Sequence, residues 1–266
     1  QGIEDIIQVG TSAGGARAKA IIAYNPKTGD VRSGQAQHSN GFDYWIIKFD
    51  GVNNDLLGDP QGYGRIEYAY HLMAKDCGIN MTECRLLEEG GRAHFMTKRF
   101  DRVGTEKLHM QTLCGIAHFD YNMPNVYSYE QAFQVMRQLR LPYPDGEELF
   151  RRMVFNVICF NCDDHTKNIS FLMNKNGEWR LSPAYDVTYA YNPENRWLKQ
   201  HQMAVNGKRE HISRSDLLNV ANEMNIKKPL EIIASVQEAV SKWFGFADSA
   251  GIPRNQAEKI GRLINV

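Results

Sequence analysis

Apolar positions change their period part-way along the chain. In the first hundred residues they come as short runs. Lys19 to Tyr24 is brief and apolar, Tyr44-Trp-Ile-Ile-Lys-Phe49 has the aromatic and β-branched content of a strand, and Ala93 to Phe100 is again extended. Pro26-Lys-Thr-Gly29 is turn chemistry, and Ile66 to Asp76 carries apolar residues at helical spacing before stopping at Gly78. The predicted order is strand, strand, helix, strand. From about Thr105 the pattern becomes helical. Ser128-x-x-Gln131 and Asp145-x-x-Glu148 read as capping boxes ahead of amphipathic runs, and Leu149 to Phe160 reads as a buried helix. Ser213-x-x-Asp216 is another helix start, Pro229 suits a first helical position before Glu231 to Phe244, and Asn255 to Ile264 is a short terminal helix. One hairpin interrupts this half: Asn168 to Asn174, the dipeptide Asn176-Gly177, then Glu178 to Tyr185.

Composition narrows the class. Hydrophobic residues at 42% and charged residues at 23% are ordinary globular values, which excludes disorder or collagen over the whole length. The 31 Lys+Arg cancel the 31 Asp+Glu, so no net field draws the chain to DNA or an anionic membrane. The longest strongly apolar stretch, Met153 to Phe160, is far short of the roughly 20 residues of a membrane helix, so a soluble protein with no membrane partner is expected. Cys77, Cys84, Cys114, Cys159 and Cys162 are an odd set that fits a reducing compartment, with cytoplasm as the expected location. Cys159-Phe-Asn-Cys162 has C-x-x-C form without a second pair to complete a zinc site. The first residue is Gln, so the natural start is expected to lie upstream.

The chemistry concentrates around the hairpin. If Asn176-Gly177 is a two-residue turn, Asn168 lies opposite Tyr185 and beside Asp186. Just upstream, Asp163-Asp-His-Thr-Lys-Asn168 places a carboxylate five positions before an amide oxygen. Kinase catalytic loops use this spacing, the Asp accepting the substrate hydroxyl proton while the Asn and a later Asp hold Mg²⁺ on the phosphates of ATP. Taken singly, each piece also fits a polar loop or an exposed strand end. Upstream, Thr11-Ser-Ala-Gly-Gly-Ala-Arg-Ala-Lys19 is small enough for backbone amides to approach phosphate oxygens, though it matches no standard nucleotide motif. Lys48 is unexpected in an apolar strand unless it snorkels to solvent or meets a partner, and Glu67 near the start of the next helix can supply one; judged in isolation, a helix-start acid reads Glu67 equally well.

These segments in this order resemble the HipA family of bacterial serine/threonine kinases, the toxins of HipBA-type toxin–antitoxin modules. The resemblance covers nearly the whole chain. It rests on Ser12-Ala-Gly-Gly-Ala-Arg-Ala-Lys19, Ile46-Ile-Lys48, Glu67-Tyr, Lys98-Arg-Phe-Asp-Arg102, Leu108-His-Met-Gln-Thr-Leu-Cys-Gly115, Asp163-Asp-His-Thr-Lys-Asn168 and Ser182-Pro-Ala-Tyr-Asp-Val187. It implies an α+β, two-lobed protein-kinase-like fold, with a small sheet-rich N-lobe over residues 1–102 and a mostly helical C-lobe over 103–266. It implies Asp163 as catalytic base, Asn168 and Asp186 as Mg²⁺ ligands, and Lys48 on phosphate. Ser12, Gly14, Gly15, Lys19, Glu67, Gln111, His165, Lys167 and Tyr185 would serve the ATP site, with Lys167 also catalytic. Lys98, Arg99 and Phe100 would form the hinge that meets adenine through its backbone. Ser12 matches the loop serine that the family autophosphorylates. The implied partners are a protein substrate, suggested to be an aminoacyl-tRNA synthetase, and a HipB-like helix-turn-helix antitoxin through which DNA is reached only indirectly; the implied consequence is growth arrest or persistence. Asp164 stands where the family often has Gly, which adds a carboxylate beside the base. The family's sheet-rich N-terminal subdomain does not precede the glycine-rich segment, which reads as truncation or as a short, split member.

Two other classes stay open on the residues: a small-molecule or lipid kinase, and an inactive nucleotide-binding interaction module. His118-Phe-Asp120 reads as a hydrogen-bonded loop rather than a metal pair. The run Trp197 to Lys208, with Arg196 before it, reads as a solvated basic loop, and Trp243-Phe-Gly-Phe246 as core.

Overall fold

The computed structural model describes residues 17–34, 41–53, 56–57, 61–104, 106–120, 122–123 and 125–265, with the backbone alone at 11–12, 52–53 and 56–57. Strands β1 (Thr11–Ser12), β2 (Lys19–Tyr24), β3 (Val31–Ser33), β4 (Asp43–Lys48), β5 (Cys84–Glu89) and β6 (Arg92–Lys98) form an antiparallel sheet in the order β1-β2-β4-β6-β5, with β3 also pairing β2. Ala20, Ile22, Trp45, Ile47, Phe49 and Met96 make its small core. β5 is not among the strands expected from the sequence, because Cys-Arg-Leu-Leu-Glu-Glu has no clean alternation. Its hairpin with β6 makes it a strand: Glu89 pairs with Arg92 across Gly90-Gly91, both at positive φ (55° and 78°), the two-residue turn that only glycine enters freely.

Helix α1 (Tyr63–Asp76) begins before the expected Ile66. The buried Asp50 carboxylate accepts the amide hydrogens of Gln61 (3.0 Å) and Gly62 (3.1 Å), satisfying donors at the helix entrance that no residue of α1 itself serves. At Gly64 the backbones of α1 and β6 meet so closely that a Cβ would collide with the Ala93 carbonyl oxygen. The apolar face of α1 belongs to the large core of the second half: the Tyr70 ring lies 6.1 Å from Phe155 and 5.6 Å from Trp243, edge to face.

That half holds α2 (Leu113–Ile116), α3 (Tyr129–Gln138), α4 (Tyr143–Ile158), α5 (Arg214–Glu223), α6 (Pro229–Ser241), α7 (Trp243–Ser249) and α8 (Arg254–Ile264). Both halves of the capping box form at Ser128 and at Ser213. The box expected at Asp145 does not form. α4 starts earlier, after Pro142, and the buried Asp145 instead takes a bidentate pair from Arg180 (2.9 and 2.8 Å) and the Leu181 amide (2.9 Å). The expected helix Glu231 to Phe244 is two helices, parted at Lys242, and the buried Trp243 is core as expected. A three-stranded antiparallel sheet, β7 (His109–Thr112), β8 (Ser170–Met173) and β9 (Trp179–Leu181), stands where only a hairpin is expected, because β7 joins the hairpin's free edge. All five cysteines are free thiols, and Cys159 and Cys162 are buried. Among the described residues, no helix is long and apolar enough to cross a membrane.

Candidate active site

α4 buries Leu149, Phe150, Met153, Val154 and Phe155 and delivers the loop 163–168 at its end. The loop is braced from within and without. The His165 amide donates to the Asp163 carbonyl (2.9 Å), the Asn168 amide to the His165 carbonyl (2.9 Å), and the Leu113 amide to the Ile169 carbonyl (2.8 Å). The Asn168 side-chain Nδ2 donates to the same Asp163 carbonyl (2.9 Å), which commits the amide nitrogen and leaves the oxygen as the acceptor end. The Asp163 carboxylate is half exposed, with His165 Nε2 at 3.8 Å. Burial and the nearby Asp186 and Asp164 carboxylates raise its pKa against the opposing pull of His165 and Lys48, a shift that favours proton uptake.

Lys48 Nζ donates to Glu67 Oε1 (2.5 Å) and to Asp186 Oδ1, joining a strand of the first sheet, a helix and the segment after the second sheet. Burial would push the Lys48 ammonium down, but Asp186 and Glu67 outweigh it and hold it raised and charged. Burial would push Asp186 up, yet Lys48, Lys19 and Arg17 hold its carboxyl down at about 2. Lys19 pairs directly across the ladder with Lys48, so two like charges face each other, an arrangement that costs stability unless an anion lies between them. Arg17 completes the cluster, donating to Glu67 Oε2 at 2.6 Å.

The hairpin register differs by one from the expected pairing. Phe171 faces Leu181, Leu172 faces Arg180 and Met173 faces Trp179. The connection is a three-residue loop, with the Asn174 amide on the Glu178 carbonyl (3.1 Å), the Gly177 amide on the Asn174 carbonyl (3.0 Å) and Gly177 at φ 80°. A turn followed by a left-handed glycine therefore replaces the two-residue turn. A one-residue slip exchanges the faces of a strand, so the ladder runs toward Asn168 against Ala184 rather than Tyr185. Ser170 Oγ and Ser182 Oγ, 2.8 Å apart, mark the shared face. Asn168 and Asp186 both line one small cavity, and Asp186 sits at φ 54°, a left-handed conformation tolerated by Asp.

Other expected site residues are placed around this cluster. Tyr185 Oη donates to the Lys167 carbonyl (2.7 Å), and its ring lies 5.8 Å from that of Phe100. Lys167 is exposed, and Gln111 is exposed on β7 opposite Phe171. In the hinge, the Lys98 and Arg99 amides donate to the Glu83 carbonyl (2.9 Å) and the Tyr44 carbonyl (2.8 Å), so two of the three expected hinge amides are already committed to the protein. Ser12 is described only in its backbone, opposite Lys19; its side chain, Gly14 and Gly15 lie outside the described residues.

Sequence reasoning missed what holds the loop from beneath. Asp164, buried, accepts from Tyr129 Oη (2.8 Å), His201 Nδ1 (3.0 Å) and the Gln202 amide (2.8 Å). It supports the loop from beneath and is not a second exposed carboxylate beside Asp163. His201 is therefore no part of a solvated basic loop, and Lys208 of the same run pairs with Asp216 (3.0 Å). A second brace, Arg152, joins Glu148 (2.7 Å) to the Ser182 carbonyl (2.8 Å). Arg152 carried a sequence signal, a charged residue inside the apolar run Leu149 to Phe160, whereas Asp164 and His201 lie in polar stretches where nothing marks them.

A HipA-like C-terminal domain family model matches residues 11–244. A Haemophilus influenzae protein provisionally named a kinase is 28% identical over 56% of this chain and 51% of its own length. The Sinorhizobium fredii protein Y4dM, also provisionally named a kinase, is 24% identical over 87% of this chain and 58% of its own. The chain thus spans little more than half of these curated relatives. Among solved structures, Shewanella oneidensis HipA, from a complex with HipB and operator DNA, superposes with a TM-score of 0.69 at 16% identity, covering 97% of this chain and 63% of HipA. The Helicobacter pylori proinflammatory kinase CtkA superposes with a TM-score of 0.52 at 13% identity, covering 86% and 90%. At these identities the likeness establishes the two-lobed, kinase-like fold.

Proposed function

We propose, since the chain belongs to the HipA-like C-terminal domain family, that it is an ATP- and Mg²⁺-dependent kinase acting on serine or threonine hydroxyls. The observation that carries this reading is the convergence of Lys48, Glu67 and Asp186, from three separate elements, beside the braced 163–168 loop. Lys48 and Lys19 offer two cations to phosphate oxygens, and Glu67 holds Lys48 in place. Asp163 accepts the proton of the attacking hydroxyl as its oxygen bonds to the γ-phosphorus and the bond to the β–γ bridging oxygen breaks, releasing ADP. One carboxylate and one amide oxygen, Asp186 and Asn168, suit Mg²⁺, which takes few protein ligands and fills its shell with water and phosphate. Among the described residues there is no cluster of three or more His, Cys, Asp or Glu side chains that would form a closed metal cage. When bound, Mg²⁺ neutralises charge on the phosphates.

The finer reading follows the family resemblance. The acceptor is an aminoacyl-tRNA synthetase, Ser12 is a site of self-phosphorylation, and a HipB-like antitoxin is the partner, as HipB is of the Shewanella HipA. Incubation with γ-labelled ATP, Mg²⁺ and a bacterial lysate tests this. Label on Ser or Thr of protein bands, absent with Asp163→Asn, is the expected result. Label only in small molecules or lipid would make it another kind of kinase, and nucleotide binding without turnover would make it an inactive module.

A further inference from the structure

The run Trp197 to Lys208, stripped of its supposed basic surface, exposes something else. Trp197 is 39% accessible, and Met123 and Val126, on the neighbouring segment, are 51% and 46% accessible. Large apolar side chains left in water together, with polar residues at the rim, mark a contact surface. Of these, Met123 and Trp197 line a pocket of about 300 Å³ whose lining also includes Tyr127, Leu198 and Met203, together with Asp163 and His165 of the 163–168 loop.

The pocket walls are built rather than loose. Asn125 Oδ1 accepts from Gln200 Nε2 (2.7 Å) and Arg209 Nε (3.2 Å), and Arg209 Nη2 donates to the Tyr127 carbonyl (2.9 Å), tying the two segments together. The Trp197 amide donates to Asn195 Oδ1 (2.8 Å), its carbonyl accepts from Gln202 Nε2, and the Arg196 guanidinium lies 4.4 Å from the ring centroid. The two hydrogen bonds fix the Trp197 backbone and the guanidinium packs on the ring, which lowers the freedom left to lose when the indole binds something.

We propose that this pocket receives an apolar side chain of the acceptor polypeptide, close in sequence to the phosphorylated hydroxyl, and that Trp197 sets that preference. The inference rests on the kinase reading. An acceptor oxygen must come within about 3 Å of the Asp163 carboxylate to give up its proton, so its neighbouring side chains lie against the other lining of the same pocket. The lining disfavours an anion, since it includes no Lys or Arg side chain among the described residues and carries the Asp163 carboxylate, while Met123, Tyr127, Trp197, Leu198 and Met203 supply apolar contact beside the polar Asn125, Thr166, Asn195 and Gln202. Its volume lies at the bottom of the range for small-molecule sites and suits one large side chain rather than an acyl chain.

Peptides with one serine, and Leu, Lys or Glu placed in turn at each of the three positions on either side, test this with saturating Mg-ATP. At one or more positions Leu should exceed Lys and Glu by about tenfold or more in kcat/KM. Trp197→Ala should reduce that ratio to below about threefold, chiefly through KM for the Leu peptide, and Trp197→Phe should keep most of it. Phosphoryl transfer with no apolar preference, or a preference that survives Trp197→Ala, overturns the pocket while the kinase reading stands. Transfer to lipid or small-molecule alcohols in preference to every peptide overturns its peptide occupant. A chain that transfers phosphate to nothing, itself included, overturns both.

Discussion

Replacing His201 by Gln removes one charge from beneath the 163–168 loop while leaving an amide that can still donate toward Asp164. The wild-type His201 side chain is 7% exposed, with Asp164 on Nδ1 at 3.0 Å and the Cys162 thiol 3.9 Å from Nε2. Burial alone would push it down, but the Asp164 carboxylate, helped by Cys162, pushes it from 6.5 up to about 10. A histidine whose folded pKa is raised contributes stability that is complete below its unfolded value and is lost as pH rises through the folded one. Here the window runs from pH 6.5 to about 10. The rise corresponds to about 5 kcal/mol below that window and about 4 kcal/mol at pH 7. Breaking a buried ion pair by removing one partner gives an independent range of about 3–5 kcal/mol. His201→Gln should therefore lose about 3–5 kcal/mol in urea unfolding at pH 6.5–7, and the gap to wild type should narrow steadily to about 1 kcal/mol or less near pH 10. The difference between the two proteins cancels the titrating groups that do not touch His201. A gap that stays constant or widens with pH would refute a charged His201 on Asp164.

Asp163→Asn should abolish phosphoryl transfer while Mg-ATP still binds, because the amide keeps the shape but accepts no proton; calorimetric loss of ATP binding to the same extent would contradict the role of base. Asp186→Ala should weaken ATP binding in the presence of Mg²⁺ more than in its absence, and identical wild-type affinities with and without the ion would remove Asp186 from the metal. Gly64→Ala drives a methyl group into the Ala93 carbonyl, so thermal melting should fall by the equivalent of about 1–3 kcal/mol and KM for ATP should rise as α1 shifts Glu67 away from Lys48; unchanged stability would mean that the helix and strand are not in contact.

Much of the fold was legible because it rests on local rules. The short apolar run at Lys19 to Tyr24, the helix-start signals at Ser128 and Ser213, and the turn glycine at 177 act within a few residues of themselves. The site was legible for a related reason: Asp163, Asn168, Asp186, Lys48 and Glu67 are residue types that stand out when an apolar strand, a helix or a short loop carries them at fixed spacing. Other features depended on partners far along the chain. Asp145 left its capping role because Arg180 came within 3 Å of it, and β5 became a strand because β6 offered it an edge. The hairpin register turned on a single residue of loop geometry, because a glycine at positive φ serves a three-residue loop with a left-handed last residue as well as a two-residue turn. Asp164, read as a spare carboxylate beside the base, is the clearest case. Adjacent residues on an irregular loop need not point the same way, and only the packing of Tyr129 and His201 beneath the loop decides that Asp164 turns inward as support while Asp163 faces the cleft. Local propensity and spacing act over a few residues and are written in the sequence, whereas the direction of a buried charge is set by where its counter-charge lands, and tertiary structure alone brings His201 to Asp164.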